Sequence, residues 1–240
     1  MAEDGYSWWM RRIAGASRLY DALRIDHFRG FESYWAVPAD APTAITGSWE
    51  KGPGMDFVGK LTEQFPETEF LAEDLGILTD EVRELLRDSK LPGMKVLEFA
   101  FSPDTLSDYL MHGHIPNSVC YCGTHDNTTL LAWRDEMSEE EYAFLCEYLA
   151  LDERTPFNWA LLRCGMRSVS QLFVAQLQDY LGLGAEGRIN LPGTREGNWQ
   201  WRLQRGQLSE ALAEKIARMV YIYGREAEHE QTDTAAEEDL

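Results

Sequence analysis

The sequence has no run of eighteen or more apolar residues, and no basic segment leads into an apolar stretch near its start. Nothing in it is expected to span a membrane or direct export. Cations are scarce: 22 Lys and Arg stand against 41 Asp and Glu, a formal charge of −19. That imbalance argues against nucleic acid and anionic membrane surfaces as partners. Cysteine is limited to Cys120, Cys122, Cys146 and Cys164. The Cys-x-Cys pair lies inside an apolar run and no second pair stands at zinc-finger spacing, so buried thiols in a reducing cytoplasm are expected. There is no internal repeat and no linker rich in Gly or Ser, and 240 residues suffice to bury a large core. One body over residues 1–224 is expected. The remaining residues, 225–240, read "REAEHEQTDTAAEEDL", lack large apolar side chains apart from Leu240, and are expected to form a frayed, solvated acidic tail.

What is present is an alternation. Trp9, Ile13, Ala16 and Tyr20 recur at helical spacing and predict a helix over 6–20. Further helices are predicted over 55–64, closed by Pro66, and from an N-cap at Thr79 through Arg87. Others are expected over 139–150, 157–168 and about 207–222. Between them stand five strand-like stretches: "ALRID" (22–26), "EFLAED" (69–74), "MKVLEFAF" (94–101), "SVCYCGTHD" (118–126) and "QLFVAQLQ" (171–178). Each is nearly continuously apolar, which suits parallel strands covered on both faces and an α/β fold.

Three of these strands end in an acid: Asp26, Glu73 and Asp126. In parallel α/β folds, barrels above all, the C-terminal strand ends point into the active site. Gathering carboxylates there is costly, because like charges and desolvation both raise their pKa values. Glycosidic bond chemistry requires such a set, one protonated carboxyl to donate to the leaving oxygen and one ionised carboxylate to attack or stabilise the sugar centre. Arg24, two residues before Asp26, should project from the same strand face and keep Asp26 ionised as a nucleophile. Glu73 has no cation nearby in sequence and has Asp74 beside it, which suits an acid role. The competing reading of each acid is a helix N-cap or half of a structural ion pair.

The stretches "RIDHFRGFESYWAVPA", "TGSWEKGPG", "FLAEDLG", "LPGMKVLEFAF", "GTHDN" and "RINLPGT...GNWQWR" resemble the 4-α-glucanotransferases of glycoside hydrolase family 77, in family order from about residue 6 to 205. The resemblance implies Asp26 as the nucleophile that forms a covalent β-glucosyl intermediate, Glu73 as general acid/base, and Asp126 as the carboxylate that holds sugar hydroxyls. It makes Arg24 the support of the nucleophile, and it implies sugar contacts from His125 and Asn190. The implied partner is an α-1,4-glucan or maltooligosaccharide, with no metal and no organic cofactor. The implied fold is the C-terminal part, about strands 4 to 8, of an eight-stranded (β/α) TIM-type barrel. Members of the family are much longer, and their first three strands have no counterpart here. The resemblance thus implies a portion of a truncated or split enzyme, incomplete without an N-terminal half. Thr128 and Met111 depart from the family's usual acidic residue and proline, and altered loop packing is expected there.

Three rival readings remain open. His112, His114, His125 and Asp126 suggest a metal-dependent hydrolase, although "DYLMHG" reads as helix and the two former histidines as loop residues without a metal. Abundant tryptophans suggest a glucan-binding module without catalysis. Most are expected in the core, with Trp49, in a Gly-rich loop, as the exception that meets sugar. A hydrolase would use the same carboxylates as a transferase.

Overall fold

A computed structural model describes residues 1–103, 107–152 and 154–226. In chain order, α1 (Ser7–Ala16) leads into β1 (Ala22–Ile25) and a ribbon of β2 (Ser33–Ala36) and β3 (Ser48–Lys51). Next come α2 (Gly54–Gln64), β4 (Glu69–Ala72), α3 (Asp80–Ser89), β5 (Gly93–Val96) and β6 (Ser118–Tyr121). They are followed by α4 (Leu130–Glu136), α5 (Glu139–Leu149), α6 (Phe157–Met166), β7 (Leu172–Val174), α7 (Leu177–Leu181) and α8 (Glu210–Ile222).

All five predicted strands exist, and the protein is α/β. β1 and β4 run parallel in register from Ala22↔Glu69 to Ile25↔Ala72. β5, β6 and β7 form a second parallel set, with Gly93 opposite Ser118 and Val119 opposite Leu172. The sets meet at a seam, where the Ala72 N–H donates to Pro92 O at 2.9 Å and the Met94 N–H donates to Asp74 Oδ1 at 2.6 Å. The spatial order is therefore β1-β4-β5-β6-β7. Burial of Phe70–Ala72 and of Met94 and Val96 agrees with strands covered on both faces.

Two apolar clusters hold the sets. One joins Tyr6, Met10 and Ile13 at α1 to Phe57, Val58 and Leu61 of α2, with Phe28 buried among them. The other is built on α6, where Phe157, Trp159, Leu161, Leu162 and Cys164 are all buried, as expected of a helix surrounded by other elements. α6 lies so close to β7 that a Cβ on Gly165 would stand 2.0 Å from the Phe173 ring. Only glycine fits there.

The elements depart from the sequence expectations mainly at their ends. "MKVLEFAF" is strand only to Val96, and Leu97–Phe99 turn as a 3-10 segment that buries Leu97. "QLFVAQLQ" splits into β7 and the start of α7, because Gln178 and Asp179 are buried as helical residues that bind Gly187 O and the Leu130 N–H. The helix predicted over 6–20 ends at Ala16, and the one over 157–168 ends at Met166. Thr79 occupies its N-cap position without a side-chain bond, whereas Thr129, Ser138 and Ser209 do cap α4, α5 and α8. The β2–β3 ribbon, α4 and α7 were not expected. Trp49 lies on β3, directly opposite Trp35, and not in a loop. The expectation of core tryptophans is wrong for this chain: Trp159 is buried, Trp9, Trp133 and Trp201 are half-buried, and Trp8, Trp35, Trp49 and Trp199 are exposed. Trp35 and Trp49 instead pack edge to face on the ribbon, with ring centres 5.5 Å apart.

Most of the expected tail, residues 227–240, lies outside the described residues. Arg225, its first residue, is anchored: its guanidinium donates to Met166 O, Ser168 O, Ser168 Oγ and Ser170 O. All four cysteines are free thiols, with Cys120, Cys122 and Cys164 buried. Among the described residues no helix is long and apolar enough to cross a membrane.

Candidate active site

β1 and β4 end side by side. One residue beyond the last pair, Ile25↔Ala72, stand Asp26 and Glu73. The Glu73 N–H donates to Ile25 O at 2.9 Å, so the register continues to the acids themselves. Arg24 does share a face with Asp26: its Nη2 lies 3.0 Å from Asp26 Oδ1, and the Asp26 side chain is 79% exposed. Arg24 also reaches across the sheet, where its Nε donates to Met94 Sδ at 3.4 Å.

Among the described residues no cation pairs with Glu73, in line with its sequence neighbourhood, but it is not free of donors. The backbone N–H groups of His27 and Leu75 donate to Glu73 Oε2 and Oε1 at 2.5 Å and 3.0 Å. His27 aims its N–H there from a left-handed backbone, φ 50°. A non-glycine residue in that region is strained by about 1–3 kcal/mol, a cost that clusters at functional sites. Asp74 does not act on Glu73 in the way expected. Its carboxyl turns to the seam and accepts from the Met94 N–H, and burial pushes its pKa up.

Asp126 stands beyond β6, on the turn Gly123–Asn127. Its Oδ1 accepts from Asn190 Nδ2 at 2.6 Å and lies 3.5 Å from His125 Nε2. Its main-chain oxygen accepts from Arg188 Nη2 at 2.8 Å. The Trp199 ring, with its own backbone at φ 62°, lies tilted over His125 with centres 5.3 Å apart.

The structure thus brings together two groups, Arg24–Asp26–Glu73 and His125–Asp126–Asn190. Arg24 and His125 line one cavity of about 280 Å³, with Met94, Tyr121 and Gln176. Asp126 lines another of about 510 Å³ together with Leu75 and Gly76, the residues that follow Glu73 and Asp74. Trp49 is set apart in a cavity of about 390 Å³, under the Arg29 guanidinium, whose carbon lies 4.7 Å from the ring centre. A larger cavity, about 670 Å³, lies between α3 and the start of β5 and contains none of the predicted site residues. The histidines that suggested a metal are engaged otherwise. His112 Nδ1 meets Tyr148 Oη, and buried His114 meets Tyr109 O and Ser170 Oγ.

Sequence reasoning did not single out His27, Arg188 or Trp199. The last two lie in the "RINLPGT...GNWQWR" stretch that carried the resemblance, and their aromatic and cationic character beside Asn190 was the available signal. Nothing in the identity of His27 announces a backbone donor.

Comparison with known proteins identifies the family. A family model described as 4-alpha-glucanotransferase matches residues 1–209. The 4-alpha-glucanotransferase of Thermus thermophilus is 44% identical over 226 residues, covering 91% of this chain and 45% of that protein. That of Clostridium butyricum is 42% identical over 226 residues, covering 94% and 46%. A solved structure, amylomaltase from Streptococcus agalactiae in complex with acarbose, superposes with a TM-score of 0.90 at 34% identity, covering 94% of this chain and 46% of that one. The chain spans a little under half the length of these relatives. It belongs to glycoside hydrolase family 77, the 4-alpha-glucanotransferases.

Proposed function

We propose that this chain carries the catalytic carboxylates of a 4-α-glucanotransferase, and that it forms about strands 4 to 8 of a (β/α)8 barrel. The observation that carries the reading is the placement of Asp26, Glu73 and Asp126 beyond the C-terminal ends of β1, β4 and β6. Neighbouring strands lie about 4.8 Å apart. Acids in register on two such strands suit the separation of about 5–5.5 Å used by retaining enzymes better than the wider gap of inverting ones.

In the proposed reaction the Asp26 carboxylate attacks the anomeric carbon of an α-1,4-linked glucosyl unit while Glu73 gives its proton to the leaving 4-oxygen. The resulting glucosyl ester on Asp26 is then attacked by the 4-hydroxyl of a second glucan or of glucose, which yields its proton to the Glu73 carboxylate. The α-1,4 bond re-forms and Asp26 is released. Arg24 pairs with Asp26 and orients its carboxylate. Asp126, steadied by Asn190 and His125, accepts from sugar hydroxyls, and Trp49 offers a stacking face. The proposal needs no metal or organic cofactor. It includes the N-terminal half as a partner and a cytoplasmic location, in keeping with four free thiols.

The test is incubation with maltotriose. Glucose together with maltodextrins longer than the substrate indicates transfer, whereas glucose and maltose alone indicate hydrolysis. Asp26→Asn should abolish either. Maltotriose binding that survives in Asp26→Asn, with no turnover in the parent chain or in a chain extended to the relatives' full length, would leave only a glucan-binding module.

A further inference from the structure

Behind the turn that carries His125 and Asp126 lies an acid to which the reaction above gives no role. Glu98, just beyond β5, is half-buried with its Oε1 closed off from solvent, and its N–H donates to Cys122 O at 3.1 Å. Its Oε2 accepts from Asn127 Nδ2 at 2.9 Å. The orientation of that amide is fixed, because Asn127 Oδ1 must accept from the Thr124 N–H at 3.0 Å, and it also accepts from Thr124 Oγ1 at 2.9 Å. Thr124 Oγ1 in turn accepts from the Asp126 N–H at 3.3 Å. One chain of hydrogen bonds therefore runs from Glu98 through Asn127 and Thr124 to Asp126. The fit is close on the other oxygen as well: a Cβ on Gly123 would lie 2.5 Å from Glu98 Oε1. That oxygen has no hydrogen-bond partner among the described residues.

We propose that Glu98 is a positioning residue that shapes the 123–127 turn and thereby sets where Asp126 meets the glucan. The sugar-binding part of this statement rests on the function proposed above; the coupling of Glu98 to the turn does not.

The surroundings favour an uncharged Glu98. Burial, then Asp179 on α7, push its pKa up to about 8. The Asn127 hydrogen bond opposes them, Glu136 on α4 adds to the repulsion, and Arg188 weakly offsets it. The neighbouring Cys122 thiol is itself held well above its usual range by burial. A glutamine has the same shape and no charge, and its carbonyl oxygen can accept from Asn127 Nδ2. An alanine leaves Asn127 Nδ2 without an acceptor.

Backbone amide resonances of Thr124, Asp126 and Asn127, followed from pH 5 to 10 in the 240-residue chain, test the coupling. In the wild type the three should shift together with a midpoint near 8. In Glu98→Gln the transition near 8 should be missing at all three. In Glu98→Ala they should be displaced at every pH while the amides of α6 stay in place. Asp179, raised to about 6 and bound to the Leu130 N–H, reports separately at Leu130. Turn amides that titrate in Glu98→Gln as in the wild type would overturn the coupling, and that comparison remains even where Glu98→Ala does not fold. Where maltotriose is turned over, Glu98→Ala should lose at least tenfold in kcat/KM and Glu98→Gln should keep wild-type activity. Equal losses in the two would overturn the positioning role. The spectra need no activity, so the two proposals fail separately.

Discussion

Truncating Arg225 to alanine should cost this protein a large share of its stability. The guanidinium donates to Ser168 O at 2.7 Å, Ser170 O at 2.8 Å, Met166 O at 3.0 Å and Ser168 Oγ at 3.1 Å. Met166, Ser168 and Ser170 are buried, so the three carbonyls at the end of α6 and the approach to β7 have little water to turn to. Hydrogen bonds to a charged group contribute about 1.5–3 kcal/mol each, and an abandoned buried acceptor costs about 1–3 kcal/mol. Arg225 is only half-buried, so incoming water offsets part of the loss, and we expect about 3 kcal/mol rather than the full set. With a urea slope of about 2 kcal/mol per molar, the unfolding midpoint, read by tryptophan fluorescence, should fall by about 1.5 M. Arg225→Lys keeps the charge but not the planar fork and should lose about half as much. A drop below about 1 kcal/mol for the alanine variant would show that α8 is held by its apolar face alone. The clamp also bears on the site, because β7 leads to Gln176, whose Nε2 donates to Thr124 O in the Asp126 turn.

Three further outcomes follow from burial. Glu98 and Asp179 have folded pKa values raised by burial to about 8 and about 6, from ordinary values of 4.5 and 3.8. Their contribution to stability is therefore fully present below about pH 4 and is lost as pH rises through the folded values, with Glu98 accounting for up to about 5 kcal/mol by pH 9. Urea unfolding at pH 5 and pH 9 should show Glu98→Gln recovering most of that loss, and an unchanged pH dependence would refute the assignment. Leu161→Ala, at a fully buried position on α6, should cost about 3 kcal/mol, while Leu19→Ala, at a position 73% exposed, should leave the thermal midpoint unmoved. A thiol reagent at pH 8 should modify half-buried Cys146 in the native protein. Cys120, raised to about 12, Cys164, raised to about 11, and buried Cys122 should react only after denaturation.

The five strands were legible because each is a nearly continuous apolar run of strand length, although β1 and β7, at the two ends of the order, stay partly exposed. Their ends were not, since Leu97 and Leu177 continue the apolar pattern while leaving the sheet, Leu97 to fill the core from a 3-10 segment and Leu177 to open α7. The β2–β3 ribbon is mostly exposed and carries no alternation to find, and its cohesion comes from the Trp35–Trp49 pair across the register. In the site, Arg24 and Asp26 could be paired from spacing alone, because the period of a strand fixes their common face. Asp126 and Asn190 are 64 positions apart, and only likeness to a family joined them before the fold did. The absence of a cation at Glu73 was visible in the residues around it. Its two backbone donors were not, because an N–H direction is set by φ and ψ, at His27 by a left-handed turn that no residue type dictates.

The seam between the two strand sets decides whether the acids act as one site. Asp26 and Glu73 belong to the β1–β4 set and Asp126 to the β5–β7 set, so their relative positions depend on a few contacts between Ala72–Asp74 and Pro92–Met94. Successive residues on a strand point to opposite faces. Glu73 and Asp74, adjacent in sequence, are accordingly split between two tasks. Glu73 faces His27 and the strand ends, while Asp74 turns to β5 and binds the Met94 N–H. A Cβ on Gly93 would lie 2.7 Å from Asp74 Oδ2, so the seam closes over the buried carboxyl only because residue 93 has no side chain. Arg24 adds a second tie from the other face, holding Asp26 with one nitrogen and reaching Met94 Sδ with another. Met94 thus receives both ties, at its backbone from Asp74 and at its sulfur from Arg24. A shift of β5 against β4 would be felt at once beside the proposed nucleophile and beside the proposed acid.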